Sequence, residues 1–520
     1  MTVIASKDDR AAAGPAERMP RQIAYIIGNE GCERFSFYGM RNILTAFLIS
    51  SLLLSVPEAA RAGEARHIFH NFMIGVYFFP LLGGFVSDRL WGKYNTILAF
   101  SIIYCLGHAC LAVFDSNPTG FFVGLSLIAF GSGGIKPLVA SFCGDQFDES
   151  NKRLAKVVFD SFYWIINFGS LFATLSMPIF LRSYGPAVAF GIPGVLMFVA
   201  TVVFWMGRRR YVVLPPAPPD PHSFWQVAKS AALSPAHGYR GVWILLAGLA
   251  LVVWSVATVD LGFVTVFCLA FVEGLAFAAV AAWVQLETVL DRHPRDAVDG
   301  VRAVLRILII FALVTPFWSL FDQKASTWVI QAGHMTKPDW FSASQMQALN
   351  PALVLVLIPF NNFVLYPALR RFGIEPTPLR RMTAGILFSA AAWVVVGTMQ
   401  MWMDGGNPLS ISWQVLPYAL LTMGEVLVSA TGLEFAYSQA PLSMKGTLMS
   451  FWNLSTTVGN LWVVVVDAGV ASQAMRATIA ASGQSREGFL MFLFAGIAVL
   501  AALLFGLNAY FYKEVSHYRS

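Results

Sequence analysis

Apolar runs of about twenty residues or more, long enough to cross a bilayer as a helix, recur along almost the whole chain. They predict spans at residues 22–55, 68–91, 95–114, 119–140, 158–181, 187–207, 241–258, 261–286, 304–333, 347–369, 382–402, 411–433, 447–468 and 487–512. The polar stretches between them alternate in charge. One set collects Lys7, Arg10, Arg18 and Arg21, then Arg89 and Lys93, Lys152, Arg153 and Lys156, Arg208 to Arg210, Arg292, Arg295 and Arg302, Arg370, Arg371, Arg380 and Arg381, Lys445, Lys513 and Arg519. The other holds only scattered bases: Arg61, Arg66, Arg182, Lys337 and Arg476. An excess of Lys and Arg marks the cytoplasmic side. Both termini are therefore expected there, with an even number of spans, fourteen.

Composition agrees. The 520 residues are 57% hydrophobic and only 12% charged, with a mean hydropathy of +0.63; a soluble domain carries about 25% charged residues. An all-α integral membrane protein is expected. The net charge of +6 does not point to nucleic acid, because the bases sit in short clusters between spans. The five cysteines, Cys32, Cys105, Cys110, Cys143 and Cys268, lie in or beside spans without metal-ligand spacing. Neither a disulfide framework, nor a zinc site, nor any other cofactor is indicated. The first twenty residues are polar and basic, so a cleaved signal peptide is not expected and the first span is read as the insertion signal.

That first span is the anomaly. Glu30-Gly-Cys-Glu-Arg-Phe-Ser-Phe-Tyr-Gly-Met-Arg41 places two acids and two bases in an apolar run. At 100° per residue, Glu30, Glu33, Arg34, Phe37 and Arg41 fall within about 100° of one another, with Tyr38 at the margin. Four ions facing lipid would cost on the order of 10 kcal/mol. They must line a polar interior and pair there, either as a packing network or as a working site.

The basic, proline-rich stretch from Arg208 to Arg240 reads as a cytoplasmic linker (208–240), and 287–303 as a second one. Between them, 241–286 is a hairpin with few intramembrane charges, Asp260 at a span end and Glu273, read as a lipid-facing accessory. Setting it aside leaves six spans (22–207) and six more (304–512), flanked by tails 1–21 and 513–520. Two six-span halves resemble the plan of the major facilitator superfamily, which implies a substrate site between the halves near the midplane. Gly84-Phe-Val-Ser-Asp88-Arg89-Leu-Trp-Gly92-Lys93 resembles that superfamily's loop motif, and Asp88 and Arg89 are read as gate parts. Gly131-Ser-Gly-Gly134 lies in an apolar helix with no strand before it, so close helix packing is expected there rather than a nucleotide loop.

Several motifs together resemble one family, the proton-coupled oligopeptide transporters of bacterial type. Residues Glu30 to Arg41 fit its E-x-x-E-R-F-x-Y-Y-G-x-R pattern, with Phe37 in place of the first tyrosine. Gly131 to Phe147, Phe162 to Ser170, Phe317-Trp318-Ser-Leu-Phe-Asp322-Gln, Gln347-Ala-Leu-Asn350-Pro and the segment from Gly424-Glu425 to Pro441 resemble its other motifs. The resemblance implies a symporter of protons with di- and tripeptides, working as a monomer in the bacterial inner membrane. A peptide of any side-chain sequence must be read by its ends and its backbone. Arg41 and Lys136 suit the carboxylate, Glu425 the ammonium, and Asn167 and Asn350 the peptide bond. Tyr38, Tyr77, Trp318 and Trp452 suit the walls. Coupling falls to Glu30, Glu33, Arg34, Asp322 and His70, whose charge or pairing can change with transport state, and Glu434 to a gate ion pair. Trp318, Trp452 and Tyr77 are equally at home as packing aromatics, and His70 as an interior histidine. A relative carrying nitrate or another organic anion would have no use for Glu425. An intramembrane enzyme or a channel would need a nucleophile–base pair, a metal cluster or repeated filter elements, and the spans offer none of these.

Overall fold

Backbone groups in lipid find no water, so each segment must close its hydrogen bonds internally, and helices do this. The computed structural model describes residues 19–147, 152–216, 220–432, 435, 439 and 445–512, and these are overwhelmingly helical. A first group comprises α1 (Ile23–Phe47), α2 (Glu58–Phe78), α3 (Gly92–Val113), α4 (Pro118–Gly133), α5 (Lys152–Tyr184) and α6 (Pro186–Met206). Then come a short helix α7 (Phe224–Ala232) and the hairpin pair α8 (Ala236–Thr258) and α9 (Phe263–Gln285). The second group is α10 (Arg295–Asp322), α11 (Leu349–Phe360), α12 (Pro378–Asp404), α13 (Val415–Glu425), α14 (Lys445–Val470) and α15 (Arg486–Phe511).

Among the described residues, eleven helical stretches are long and apolar enough to cross a membrane, or twelve when Thr447–Val470 and Gln473–Ala481, bent by 77°, count as one span. Two further segments account for the fourteen expected. Four ionised side chains count against α1 on composition alone. Glu58–Val113 is one continuous stretch of 56 residues, about 84 Å at 1.5 Å per residue and far longer than one bilayer. It divides at Gly92, whose φ of 73° favours glycine. Several helices begin earlier than expected: α2 at Glu58 rather than residue 68, and α10 at Arg295 rather than 304. Alanine, glutamate and arginine in these polar lead-ins are good helix formers. The stretch read as a cytoplasmic linker contains α7, which buries Phe224, Val227 and Ala231.

The buried apolar side chains form two clusters. One is built from α1–α6, and the other from α10–α15 together with α7 and parts of the hairpin. Among the described buried residues, only Ile74 and Phe78 of the first group join the second cluster, and only Ala325 crosses the other way. The hairpin's outer faces leave Trp243, Trp254 and Phe263 largely exposed, as expected of lipid-facing helices. The helix following α2, Pro80–Val86, lies against the end of α4: a Cβ on Gly83 would come within 2.2 Å of the Gly133 carbonyl oxygen. The Gly131-Ser-Gly-Gly134 segment is therefore a close-packing device.

Candidate functional site

The charged stripe of α1 is largely buried, and its Arg41 end reaches the second group. Arg34 Nε donates to Glu30 Oε1 at 2.6 Å and lies 3.1 Å from Glu33 Oε2. One guanidinium thus serves two buried carboxylates, leaving one negative charge for a proton or another base to offset. Lys136 was expected within a helix. It sits instead in a turn between α4 and the short helix Leu138–Gly144. Gly133-Gly134 and Pro137 explain the break, since neither residue type sustains a helix interior. Its ammonium lies 3.7 Å from the Phe37 ring centroid and 4.7 Å from that of Tyr77. The phenylalanine that departs from the family pattern thereby gives the lysine a π face, a contact worth about 2 kcal/mol when shielded from water. Tyr38 packs edge-on against Phe37.

A second constellation crosses between the groups at the end opposite Arg208–Arg210. Arg41 Nη2 donates to Asp322 Oδ1 at 2.6 Å, both side chains being buried. Asp322 Oδ2 accepts from Asn460 Nδ2 at 2.8 Å, and the same amide group donates to Thr456 O. Both partners only accept, so Asn460 Oδ1 is the atom that faces His70 Nδ1, 2.6 Å away. His70 therefore carries a proton on Nδ1, and its Nε2 lies 2.9 Å from the Ser326 hydroxyl oxygen. One continuous chain links His70 to Arg41 through Asn460 and Asp322. Nearby, Thr45 Oγ1 donates to Ala325 O and Gln347 Nε2 to Asn42 O. Farther out, Arg66 reaches Asp467 at 3.1 Å and Glu487 at 2.6 Å. Arg66, read as a scattered loop base, is only 2% exposed.

Ion pairs bridge the two groups at this end, so one expectation follows directly. Arg66→Met leaves Glu487 without its buried partner, while Asp467 keeps Arg486 at 2.9 Å. Loss of a charge-assisted bond of about 1.5–3 kcal/mol should populate a separated state. Spin labels at the exposed Ala59 and Gln473, in a cysteine-free background, are expected to show a longer-distance component that the parent protein lacks. An unchanged distance distribution would deny Arg66 this role.

The third constellation belongs to the second group alone. Asn350 Nδ2 donates to Glu425 Oε2 and, at 3.1 Å, to Thr422 Oγ1. Its Oδ1 accepts from Lys324 Nζ at 2.7 Å. Glu425 ends α13, and a π-helical turn, Val426–Ala430, follows it. Trp318 and Trp452 meet edge to face, with centroids 5.8 Å apart, and glycines make the fit possible: a Cβ on Gly459 would lie 2.5 Å from Trp318 Cβ. Trp318 Nε1 is buried with no hydrogen-bond partner among the described residues. Asn167 is buried on α5.

At the basic end, Asp88 and Arg89 are exposed in a π-helical turn, Ser87–Trp91. Among the described residues, the ion pair at this turn is Lys93 with Asp145, at 2.6 Å, rather than one made by Asp88 or Arg89. Glu434 lies outside the described residues. Sequence reasoning missed Lys324, Asn460, Ser326 and Arg66. Lys324 had a usable signal, since it is a lysine inside an apolar run just as Lys136 is. Four acids (Glu30, Glu33, Asp322, Glu425) and four bases (Arg34, Arg41, Lys136, Lys324) thus take part in these constellations, equal in number. An electroneutral site can take a zwitterion without acquiring net charge.

The POT family (PTR2) matches residues 94–483. The chain is 35% identical over 399 residues to Peptide transporter 3 of Caenorhabditis elegans, covering 74% of this chain and 51% of that protein. It is 32% identical over 432 residues to solute carrier family 15 member 2 of Mus musculus, covering 79% and 54%. The chain thus spans about half the length of these curated relatives. Among solved structures, an auto-inhibited POT family peptide transporter is 62% identical with a TM-score of 0.94, over 96% of this chain and 99% of that one. The POT family transporter PepTSo is 60% identical with a TM-score of 0.93, over 95% and 98%. With a family match across most of its length and near-complete likeness to these structures, this multi-pass membrane protein belongs to the POT family.

Proposed function

We propose that the protein is a proton-coupled symporter that imports di- and tripeptides by alternating access. The observation that carries this reading is the convergence of opposite charges from the two helix groups on one electroneutral space. Arg41 and Lys136 come from the first group and Glu425 from the second, and a zwitterion bridging them ties the groups together. The proposed halves are 22–207 and 304–512, with linkers 208–240 and 287–303, the accessory hairpin 241–286 and tails 1–21 and 513–520. Basic loops place both termini in the cytoplasm of a cell with an inner membrane, so the end closed by Arg41–Asp322 is the outer one. The working unit is a monomer surrounded by lipid, with the proton as coupling ion and no cofactor.

In this reading Arg41 and Lys136 hold the carboxylate. Glu425 takes the ammonium, Asn167 and Asn350 the peptide bond, and Tyr38, Tyr77, Trp318 and Trp452 form the walls. Glu30, Glu33 and Arg34 on one side, and Asp322 with His70 on the other, exchange the proton. Asp88, Arg89 and Glu434 belong to the inner gate. The similarity of relatives named as peptide transporters supports peptide over an anion, as does Glu425, which an anion would be repelled by. Uptake of radiolabelled dipeptide into proteoliposomes, with and without an inwardly directed proton gradient, tests the whole reading; uptake that ignores both peptide and gradient would end it.

The amino-end assignment has its own test. Glu425→Gln keeps shape and removes charge. It is expected to weaken peptides with a free amino terminus about tenfold or more, on the scale of one charge-assisted hydrogen bond, while N-acetylated peptides change little. Competition assays with matched pairs measure this, and equal losses for both would remove Glu425 from the amino end.

A further inference from the structure

Lys324 has no part in the reading above, yet its side chain is buried, 4% exposed, at the edge of the site. Nζ donates to Asn350 Oδ1 at 2.7 Å and lies 3.2 Å from the Phe321 ring centroid. The amide's other end donates to Glu425 and Thr422. Its orientation is fixed by chemistry, because a lysine only donates and a carboxylate only accepts. One Asn350 side chain therefore connects a buried cation to a buried anion, and neither ion makes a direct ion pair among the described residues. The ammonium has three donors and this contact uses one. A buried ion costs several kcal/mol unless well paired, so both charges are under-served by this arrangement. A structural pair would close the gap. This one leaves it open at the very acid assigned to the substrate's amine.

We propose that Lys324 is an internal surrogate for the peptide's amino group. In the empty site it neutralises Glu425 through Asn350, and the arriving ammonium takes over that task and displaces it. The proposal rests on the reading of Glu425 as the amino-end acid. Lys324 lies in the 3-10 turn Gln323–Ala325, directly after Asp322. Its displacement therefore moves the turn that carries the carboxylate bonded to Arg41. Only a substrate with a free, charged amine competes with the lysine; a blocked peptide leaves it in place. Lys324 thus sets specificity for the amino end without being required to touch the substrate.

The test measures KM and turnover by counterflow in proteoliposomes at neutral pH, with a free dipeptide and its N-acetylated counterpart. Lys324→Met is expected to lower KM for the free peptide about tenfold, the scale of one charge-assisted contact. It should slow turnover, because release now uncovers an unneutralised acid, and leave KM for the acetylated peptide within about twofold. Lys324→Gln keeps a donor for Asn350 without charge and should behave like Lys324→Met, whereas Lys324→Arg should restore parental values. A KM that shifts equally for both peptides, or rises for the free one, overturns the proposal. So does Lys324→Gln behaving as the parent. Glu425→Gln, run in parallel, separates the two claims. If it discriminates between the peptides and Lys324→Met does not, the surrogate fails alone. If Glu425→Gln does not discriminate, the amino-end reading itself has failed.

Discussion

Asp322→Asn is expected to abolish concentrative uptake of peptide while leaving exchange of peptide for peptide largely intact. In the structure Asp322 receives Arg41 on one oxygen and Asn460 on the other. Its negative charge is one of the features that join the two helix groups at this end. In the proposed cycle, protonation removes that charge, weakens the guanidinium contact and lets the end open, and deprotonation closes it again. An asparagine is locked in the neutral form, so the closing step loses its link to the proton. One proton moved inward gains about 2.3 kcal/mol per 100 mV, sufficient for about fiftyfold accumulation. In the variant the accumulation ratio should fall to about one, while exchange, which moves no net proton, should stay within about tenfold of the parent. Proteoliposomes with an imposed gradient measure both quantities. Accumulation against the gradient in Asp322→Asn would shift the obligatory proton site to Glu30 or Glu33, where one arginine serves two acids.

Arg41→Ala should be more severe, lowering both uptake and exchange by at least about a hundredfold. The change removes the group proposed to hold the peptide's carboxylate and also strands Asp322, which is 1% exposed and keeps only the Asn460 amide among the described residues. Breaking a buried pair from one side costs about 3–5 kcal/mol, so reduced thermal stability should accompany the loss. The double variant Arg41→Ala/Asp322→Asn separates the two effects. It removes the stranded charge, so thermal stability should recover, whereas transport should not. Recovery of transport would mean that Arg41 serves the outer pair alone and that the carboxylate end of the peptide is read elsewhere.

Much of this was legible in the chain because lipid imposes strict rules. Apolar run length located nearly every helix, and the cost of charge in lipid singled out Glu30, Glu33, Arg34 and Arg41. The Arg41–Asp322 pair bridges 281 residues, and it could be expected because family motifs put both residues near one level. Other contacts had no such guide. Arg66 looked like an ordinary loop base, since nothing local says that Asp467 and Glu487 come to meet it. Asn460 was one polar residue among several in its span, and its role depends on facing His70 and Asp322 at once. The turn at Lys136 was signalled by Gly133-Gly134 and Pro137, but a continuous apolar run masked it. The short helix Phe224–Ala232 hid in a proline-rich linker because its apolar face spans barely two turns.

The division of the buried apolar side chains into two clusters, with only Ile74, Phe78 and Ala325 crossing over among the described residues, bears on how the protein responds to temperature. Heat-capacity changes arise mainly when apolar surface is exposed to or withdrawn from water. If each group keeps its own oily interior while it rocks, little such surface changes hands, and the conformational step carries almost no heat-capacity term. The enthalpy of that step then stays nearly constant over the growth range. Warming speeds the cycle along a straight Arrhenius line and leaves the balance between its two faces to electrostatics, which respond to voltage and acidity.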